Sequence, residues 1–229
     1  FDRLLEVAVV VACGCRHIMA LRGRDMGYLI GTDEAGYGPN LGPLVIMATV
    51  WRVPGDPRAV DLYQRLGRAV AKPGADQRGR LVIGDSKAVY APRRGLQDLE
   101  RALFCVADDA TNASVSWRAW WLNLAPAANH ALSSLPWYAD FDCELPVDWS
   151  AADGPAARDL YRAAAAEAKV ELLAIRGRAL FPLEFNDRVD ETGSKGEALS
   201  AATVALIAEL LEPLAAEPVW IVCDKHGGR

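Results

Sequence analysis

Apolar residues recur along this chain in short runs that are typical of buried strands. Two runs rich in Val, Ile and Leu, bounded by Gly and Pro, predict a pair of strands joined by a loop. Three further apolar runs predict additional strands. The five predicted strands cover residues 27–33, 43–51, 81–83, 170–180 and 219–223.

Other segments carry apolar residues at the three- and four-residue spacing of one helical face, which predicts helices. These helices cover residues 58–70, 93–107, 155–168 and 197–214. The third of them is unusually rich in alanine, the strongest helix former. Residues 182–195 are dominated by charged side chains and predict a loop.

The order of these elements predicts an α/β fold with a mixed β-sheet flanked by helices. A strand pair comes first, and a helix followed by a fully apolar strand comes last, as in a crossover unit of a covered sheet. Residues 112–150 differ, because they hold five of the seven tryptophans, and they predict an insertion. The length suits a single domain over residues 26–229. Residues 1–25 are interpreted as an N-terminal extension.

Composition and charge narrow the class of protein. A hydrophobic fraction of 52% is ample for a packed core, and the net charge of −5 argues against coating nucleic acid by bulk attraction. An acidic metal centre with a local basic rim remains compatible with this charge. No apolar run approaches the roughly 20 residues that span a bilayer, so no membrane partner is expected. Five cysteines without paired spacing predict reduced thiols in a cytoplasmic protein, which we expect to be a monomer.

Acidic residues stand at the ends of two predicted strands. Asp33 and Glu34 end the first strand, and Asp224 follows the last one. If these strands are parallel neighbours, their acids converge beyond the carboxyl ends, where ligands collect in open α/β sheets. Carboxylates without nearby His or Cys favour Mg²⁺ or Mn²⁺, and such a cluster supports two-metal phosphodiester hydrolysis. The alternative is that each acid is only a solvated turn residue.

Two further motifs offer groups suited to a sugar-phosphate. The glycine-rich loop containing Gly36, Tyr37 and Gly38 allows close approach of its backbone amides. A dinucleotide-binding loop would open a helix, whereas a predicted strand follows here. Ser86 and Lys87, in an Asp-Ser-Lys sequence after a short strand, supply a hydroxyl and an ammonium for a phosphate.

Together these motifs resemble the type 2 ribonuclease H family, that is, ribonucleases HII and HIII. The matching segments are Gly-Thr-Asp-Glu-Ala-Gly-Tyr-Gly-Pro at 31–39, Asp-Ser-Lys at 85–87, and the apolar strand with its acid at 219–224. The resemblance covers about residues 27–107 and 170–229 and leaves the tryptophan-rich segment unmatched.

The resemblance implies a ribonuclease-H-like fold and metal-dependent cleavage of the RNA strand in RNA/DNA hybrids or ribonucleotide-containing duplexes. It implies that Asp33, Glu34 and Asp224 bind Mg²⁺ or Mn²⁺. The loop at 36–38 would lie against the ribose 2′-hydroxyl, and Lys87 would meet a phosphate.

This chain departs from the family pattern at two places. Tyr37 stands where ribonuclease HII usually has arginine, which predicts altered recognition of a single ribonucleotide. The family's fourth carboxylate is expected on a helix beyond Arg229, so part of the domain is expected to lie outside this sequence. Two alternatives stay open: a catalytically inactive nucleic-acid-binding relative, and another ribonuclease-H-like nuclease that acts on DNA.

Overall fold

The chain forms two compact units in the computed structural model, which describes residues 26–35, 42–107, 115–150, 152, 154–214 and 217–223. The sheet unit contains the described residues up to Val60 together with those from Leu173 onward. The tryptophan unit contains the described residues from Asp61 to Leu172. The predicted insertion at 112–150 falls inside the tryptophan unit, while the predicted domain limits stay a prediction.

A four-stranded mixed sheet forms the centre of the sheet unit, in the order β7, β2, β1, β8. β1 pairs antiparallel with β2, and it pairs parallel with β8 on its other side. The predicted mixed α/β class is therefore confirmed. The four strands are β1 (Met26–Ala35), β2 (Leu44–Pro54), β7 (Glu171–Leu180) and β8 (Val219–Cys223).

Two consecutive helices, α8 (Pro182–Thr192) and α9 (Lys195–Leu211), connect β7 to β8. The prediction of a loop over 182–195 is wrong. Pro182 occupies the first turn of α8, where a missing N–H costs nothing, and Gly193 ends the helix with a positive φ of 82°. Only Phe185 of α8 is fully buried, so the apolar signal of this helix is weak beside its many charges.

The core of the sheet unit lies between one face of the sheet and helices α8 and α9. Ile30 of β1 and Ala202 of α9 are completely buried in it. Small residues at such positions let a helix approach a sheet closely, and the larger side chains then fill the gaps. The buried members of this core are Ile30, Leu44, Ile46, Ala48, Val50, Leu180, Phe185, Ala198, Leu199, Ala202, Leu206 and Leu210.

A short 3₁₀ turn, Pro57–Ala59, packs beside the start of β1. A β-carbon on Gly27 would lie 2.6 Å from the Cδ atom of Pro57, so only glycine fits at this position. The guanidinium of Arg58 lies 5.5 Å from the centre of the Trp220 ring in β8, within cation–π range. The turn thus contacts both β1 and β8.

The tryptophan unit contains short elements around two small strand pairs. β3 (Val70–Ala71) and β4 (Leu81–Val82) are parallel, whereas β5 (Val115–Ser116) and β6 (Glu144–Leu145) are antiparallel. The helices are α1 (Leu62–Arg65), α2 (Ser86–Val89), α3 (Gln97–Val106), α4 (Trp117–Leu124), α5 (Asn129–Ser134), α6 (Pro136–Ala139) and α7 (Pro155–Ala168).

The helices predicted over 58–70 and 93–107 are shorter in the structure, where they are α1 and α3. By contrast, α7 has the predicted limits. The prediction of a helix over 58–70 is wrong except for the single turn of α1. Asp61 caps that turn by accepting hydrogen bonds from the next residues, and Gly67 follows its end. Val70 is then buried in the pairing of β3 with β4, because tertiary packing overrides a weak helical pattern.

A buried carboxylate fastens α3 to the segment before α7. Glu100 accepts hydrogen bonds from the backbone N–H groups of Val147, Asp148 and Trp149 at 2.6, 2.8 and 2.9 Å. A buried charge is tolerated when several donors replace its water shell. The nearby ring of Trp149 stacks on Phe104 with 6.4 Å between the ring centres.

No helix in the described ranges is long and apolar enough to cross a bilayer. The three cysteines inside those ranges, Cys105, Cys143 and Cys223, are free thiols.

Leu199→Ala should lower the free energy of unfolding by about 2–5 kcal/mol, because it opens a cavity in the core against β1 and β2. Leu183→Ala is a matched control, since Leu183 on α8 is 75% exposed, and its change should stay within about 0.5 kcal/mol. Urea unfolding followed by tryptophan fluorescence measures both. Equal effects of the two substitutions would contradict the assignment of the core.

Candidate functional site

Asp33 and Glu34 lie near the end of β1, in the sheet unit. The strand continues two residues beyond its predicted end, and these acids pair in register with Met47 and Ile46 of β2. Asp33 is exposed, whereas Glu34 is partly buried. The Oδ1 atom of Asp33 accepts a hydrogen bond from the backbone N–H of Glu34 at 2.9 Å.

The alternation of a regular strand assigns the two acids to opposite faces of the sheet. Residues two apart share a face, so Glu34 shares the face of Ile30, which packs against α9. Asp33 belongs to the other face. A site that uses both carboxylates therefore requires the backbone to depart from regular strand geometry. β1 stays in regular register through Ala35, so the described residues show no such bend at the two acids. Gly36, Tyr37 and Gly38 lie outside the described residues.

The strand that precedes Asp224 is a direct neighbour of β1. The last described pair in their parallel register joins Thr32 to Cys223. The strands leading to Asp33 and to Asp224 are therefore parallel neighbours, which is the condition that the sequence analysis sets for a shared site. Asp224 itself lies outside the described residues.

The donor set of the predicted metal site consists only of carboxylates. Such oxygen atoms are the ligands that Mg²⁺ and Mn²⁺ prefer, so the chemistry of Asp33 and Glu34 fits these ions. Within the described ranges no three His, Cys, Asp or Glu side chains are grouped so that they could hold a metal. Because the predicted set includes Asp224, metal binding by the three acids stays a prediction.

The Asp-Ser-Lys sequence lies in the tryptophan unit, directly after β4. Asp85 caps the short helix α2 by accepting a hydrogen bond from the N–H of Lys87 at 2.8 Å. Ser86 and Lys87 are exposed. The aspartate thus fixes the local backbone, and the hydroxyl and the ammonium are presented to solvent.

A cleft of about 400 Å³ lies close to this sequence in the same unit. Tyr63 from α1 forms part of its wall and donates a hydrogen bond from its hydroxyl to the carbonyl of Ile83 at 2.8 Å. Lys72 also lines the cleft, with its ammonium 4.9 Å from the centre of the Tyr63 ring. No sequence pattern indicates this cleft, because it depends on contacts between residues that are distant along the chain.

The tryptophan-rich segment packs on itself. Trp117 stacks with Trp121 and with Tyr138, at ring-centre distances of 5.9 and 6.2 Å, and meets the edge of Phe141 at 5.1 Å. Such aromatic pairs stabilise a local core. This packing favours a structural role over base stacking for most of these rings.

An acid holds the same segment together. Asp142 accepts hydrogen bonds from the hydroxyl of Ser116 at 2.6 Å and from the backbone N–H groups of Arg118 and Cys143, both at 2.9 Å. These bonds, above all the one from Ser116, lower the pKa of Asp142 below its ordinary value. The guanidinium of Arg118 donates to carbonyl oxygens of the loop before Asp142.

No protein-family model matches the chain, and no curated protein or solved structure matches it either. Its function therefore has to be inferred from the residues and their geometry.

Acid should weaken the hydrogen bonds of Asp142. Because the folded-state pKa is lowered, the stabilisation is complete above the ordinary pKa of 3.8 and is lost as the pH falls through the lower folded value. Asp142→Asn should therefore lower the thermal midpoint at pH 5 and have a smaller effect near pH 3. Near-UV circular dichroism of the aromatic rings reports the transition.

Asp140→Asn is the control for this experiment, because it removes an exposed carboxylate two positions away. Its effect on the thermal midpoint at pH 5 should be small beside that of Asp142→Asn, because none of the hydrogen bonds to Asp142 is removed. A pH-independent effect of Asp142→Asn would contradict the proposed ionic hydrogen bonds.

Proposed function

We propose that this protein is a divalent-metal-dependent endonuclease with a ribonuclease-H-like fold that cleaves the RNA strand of RNA/DNA hybrids. The observation that carries the proposal is the parallel pairing of β1 with β8, which ends in the described range at Thr32 and Cys223. The residue that follows each of these in the sequence is an aspartate, Asp33 in one strand and Asp224 in the other. Two acids at the carboxyl ends of adjacent parallel strands are well suited to a common ligand.

In this proposal Asp33, Glu34 and Asp224 hold Mg²⁺ or Mn²⁺. The bound metal supplies activation of a water molecule and stabilisation of the leaving oxygen. The carboxylates keep the cation in place and offset its charge. Because Asp33, Glu34 and Ala35 all pair in register with β2, binding of both acids by one ion requires the end of β1 itself to bend.

Recognition of substrate is assigned to neutral and basic groups. Gly36 and Gly38 have no side chain that would exclude a ribose from the backbone. Tyr37 provides a ring where ribonuclease HII usually has arginine. The exposed hydroxyl of Ser86 and ammonium of Lys87 are suited to donate hydrogen bonds to phosphate oxygens. Asp85 supports them by capping α2, so that their backbone is fixed before substrate binds.

The overall acidity of the chain is consistent with metal binding by acids and substrate binding by a few neutral and basic groups. A net charge of −5 disfavours non-specific binding along nucleic acid, so binding depends on local groups. We further propose that the enzyme acts as a monomer in the cytoplasm, where thiols such as Cys105 stay reduced.

Cleavage is tested with the full-length protein in Mg²⁺ or Mn²⁺ and three duplexes: an RNA/DNA hybrid, a DNA duplex with one ribonucleotide, and an all-DNA duplex. We expect cleavage of the hybrid. Asp33→Asn should lower the rate by about 100- to 1,000-fold, because loss of a metal ligand removes several kcal/mol of transition-state stabilisation. Gel analysis of labelled RNA strands measures the rate.

Asp187→Asn is the matched control, since it removes an exposed carboxylate on α8 of the same unit. Its rate should equal that of the unmodified protein. Undiminished activity of Asp33→Asn, or no cleavage of either ribose-containing duplex, would refute the proposal. Binding of the hybrid without cleavage would favour an inactive nucleic-acid-binding relative, and cleavage of all-DNA would favour a DNA nuclease.

A further inference from the structure

We propose that the cleft beside Tyr63 in the tryptophan unit binds a backbone phosphate of the nucleic-acid substrate, with Lys72 as its main contact. This inference rests on the proposed function and extends it, because it assigns a substrate-binding role to residues outside the motifs. The groups that line the cleft and take part in the proposal are Asp61, Tyr63, Gln64, Lys72 and Arg80.

The position of Lys72 follows from the pairing of β3 with β4. These strands are parallel, with Val70 opposite Leu81 and Ala71 opposite Val82. Lys72 comes directly after β3, and Ile83 comes directly after β4, so both leave the carboxyl ends of adjacent parallel strands. Such ends are where α/β structures collect ligands.

Close packing joins the cleft to the segment that leads into the Asp-Ser-Lys sequence. Besides the hydrogen bond from Tyr63 to the carbonyl of Ile83, the backbone N–H of Ile83 donates to Ala71 at 3.1 Å. A β-carbon on Gly84 would lie 2.6 Å from the Cδ atom of Pro73, the residue after Lys72. The loop that carries Lys72 therefore lies directly against the residue before Asp85.

The cleft has an excess of positive charge. Lys72 forms no ion pair with a carboxylate in the part of the chain that the structure describes, and its ammonium faces the ring of Tyr63. Arg80 also lines the cleft, and its guanidinium donates to the backbone carbonyls of Gly67 and Asp76, which are uncharged acceptors. Two cations thus line the cleft.

One carboxylate also lines the cleft, and it already accepts hydrogen bonds. The Oδ1 atom of Asp61 accepts from the backbone N–H groups of Tyr63 and Gln64 at 2.8 and 3.3 Å. Two cations and one acid leave the cleft with a formal charge of +1. An anion would therefore bind here with favourable electrostatics and with Lys72 as an exposed donor.

The neighbouring donors favour a chain of phosphate diesters over a single carboxylate-bearing ligand. Gln64 is exposed and adds an amide donor that carries no charge. Ser86 and Lys87 follow the same end of β4 and add a hydroxyl and a second ammonium. A chain of spaced phosphates can use both sets of donors at once, whereas a single anion uses only one.

Binding is tested by fluorescence anisotropy of a labelled RNA/DNA hybrid with the whole chain in EDTA, at a series of KCl concentrations. Lys72→Ala should weaken binding about 3- to 10-fold and lower the slope of log Kd against log salt by about 1, the signature of one lost phosphate contact. Lys72→Arg keeps the charge and should retain most of the affinity.

Lys169→Ala is the matched control, because Lys169 is an exposed lysine of the same unit outside the cleft. Both its affinity and its salt slope should equal those of the unmodified protein. Thermal unfolding of each variant shows whether the fold is retained. Lys72→Ala with unchanged affinity and slope would overturn the proposal, as would no binding of the hybrid by the unmodified chain.

Two additional measurements separate this proposal from the nuclease proposal. Binding that depends on Lys72, together with no cleavage by the full-length protein in Mg²⁺ or Mn²⁺, would support the cleft and refute the nuclease activity. Cleavage of the hybrid, together with binding that Lys72→Ala leaves unchanged, would support the nuclease activity and overturn the cleft proposal. Inorganic phosphate is the second ligand: if it binds in a Lys72-dependent way but the hybrid does not, the cleft is a free-phosphate site and the strand-binding proposal is overturned.

Discussion

The pairing of β1 with its two neighbours is the constraint on which the sheet unit depends. One side of β1 forms ten register pairs with β2, and the other side pairs in parallel with β8, which is far away in sequence. Ile30, in the middle of β1, is completely buried by the packing of α9. Because parallel pairing requires a crossover, the chain between β2 and β8 must return to the same end of the sheet before β8 can begin.

That return also determines where the proposed metal site can form. The carboxyl ends of β1 and β8 lie at one edge of the sheet because the strands are parallel, and the proposed metal site requires this arrangement. An antiparallel β8 would separate Asp33 from Asp224 by the length of the strand, about 3.3 Å for each residue. The proposed metal site thus depends on strand direction as much as on the acids themselves.

Long, strongly patterned elements could be predicted from the sequence, and short or charged ones could not. α7 has the predicted limits because many consecutive alanines leave no competing structure. α8 was missed because its buried side is reduced to Phe185 and a few partly buried neighbours, while its charges are the stronger signal. The helix predicted over 58–70 is mostly absent because Val70 forms a strand with Leu81, a partner that local periodicity cannot reveal.

The residues of the candidate sites also differ in whether the sequence alone indicates them. Asp33, Glu34 and the Asp-Ser-Lys sequence were found because each is a contiguous motif at a strand end. Lys72 was not found, since its significance comes from Tyr63 and from the contact of Pro73 with Gly84, which only the fold brings together.

The two sets of groups should affect different kinetic constants. If both proposals hold, the phosphate held by Lys72 is not the reacting one and is bound equally in the ground and transition states, so losing that contact raises KM and leaves kcat nearly unchanged. Asp33, as the proposed metal ligand, would act on charge that develops only as the bond breaks, so its loss would lower kcat. The acids belong to the sheet unit and Lys72 belongs to the tryptophan unit. Binding strength could therefore change through the tryptophan unit without altering the residues that carry the chemistry.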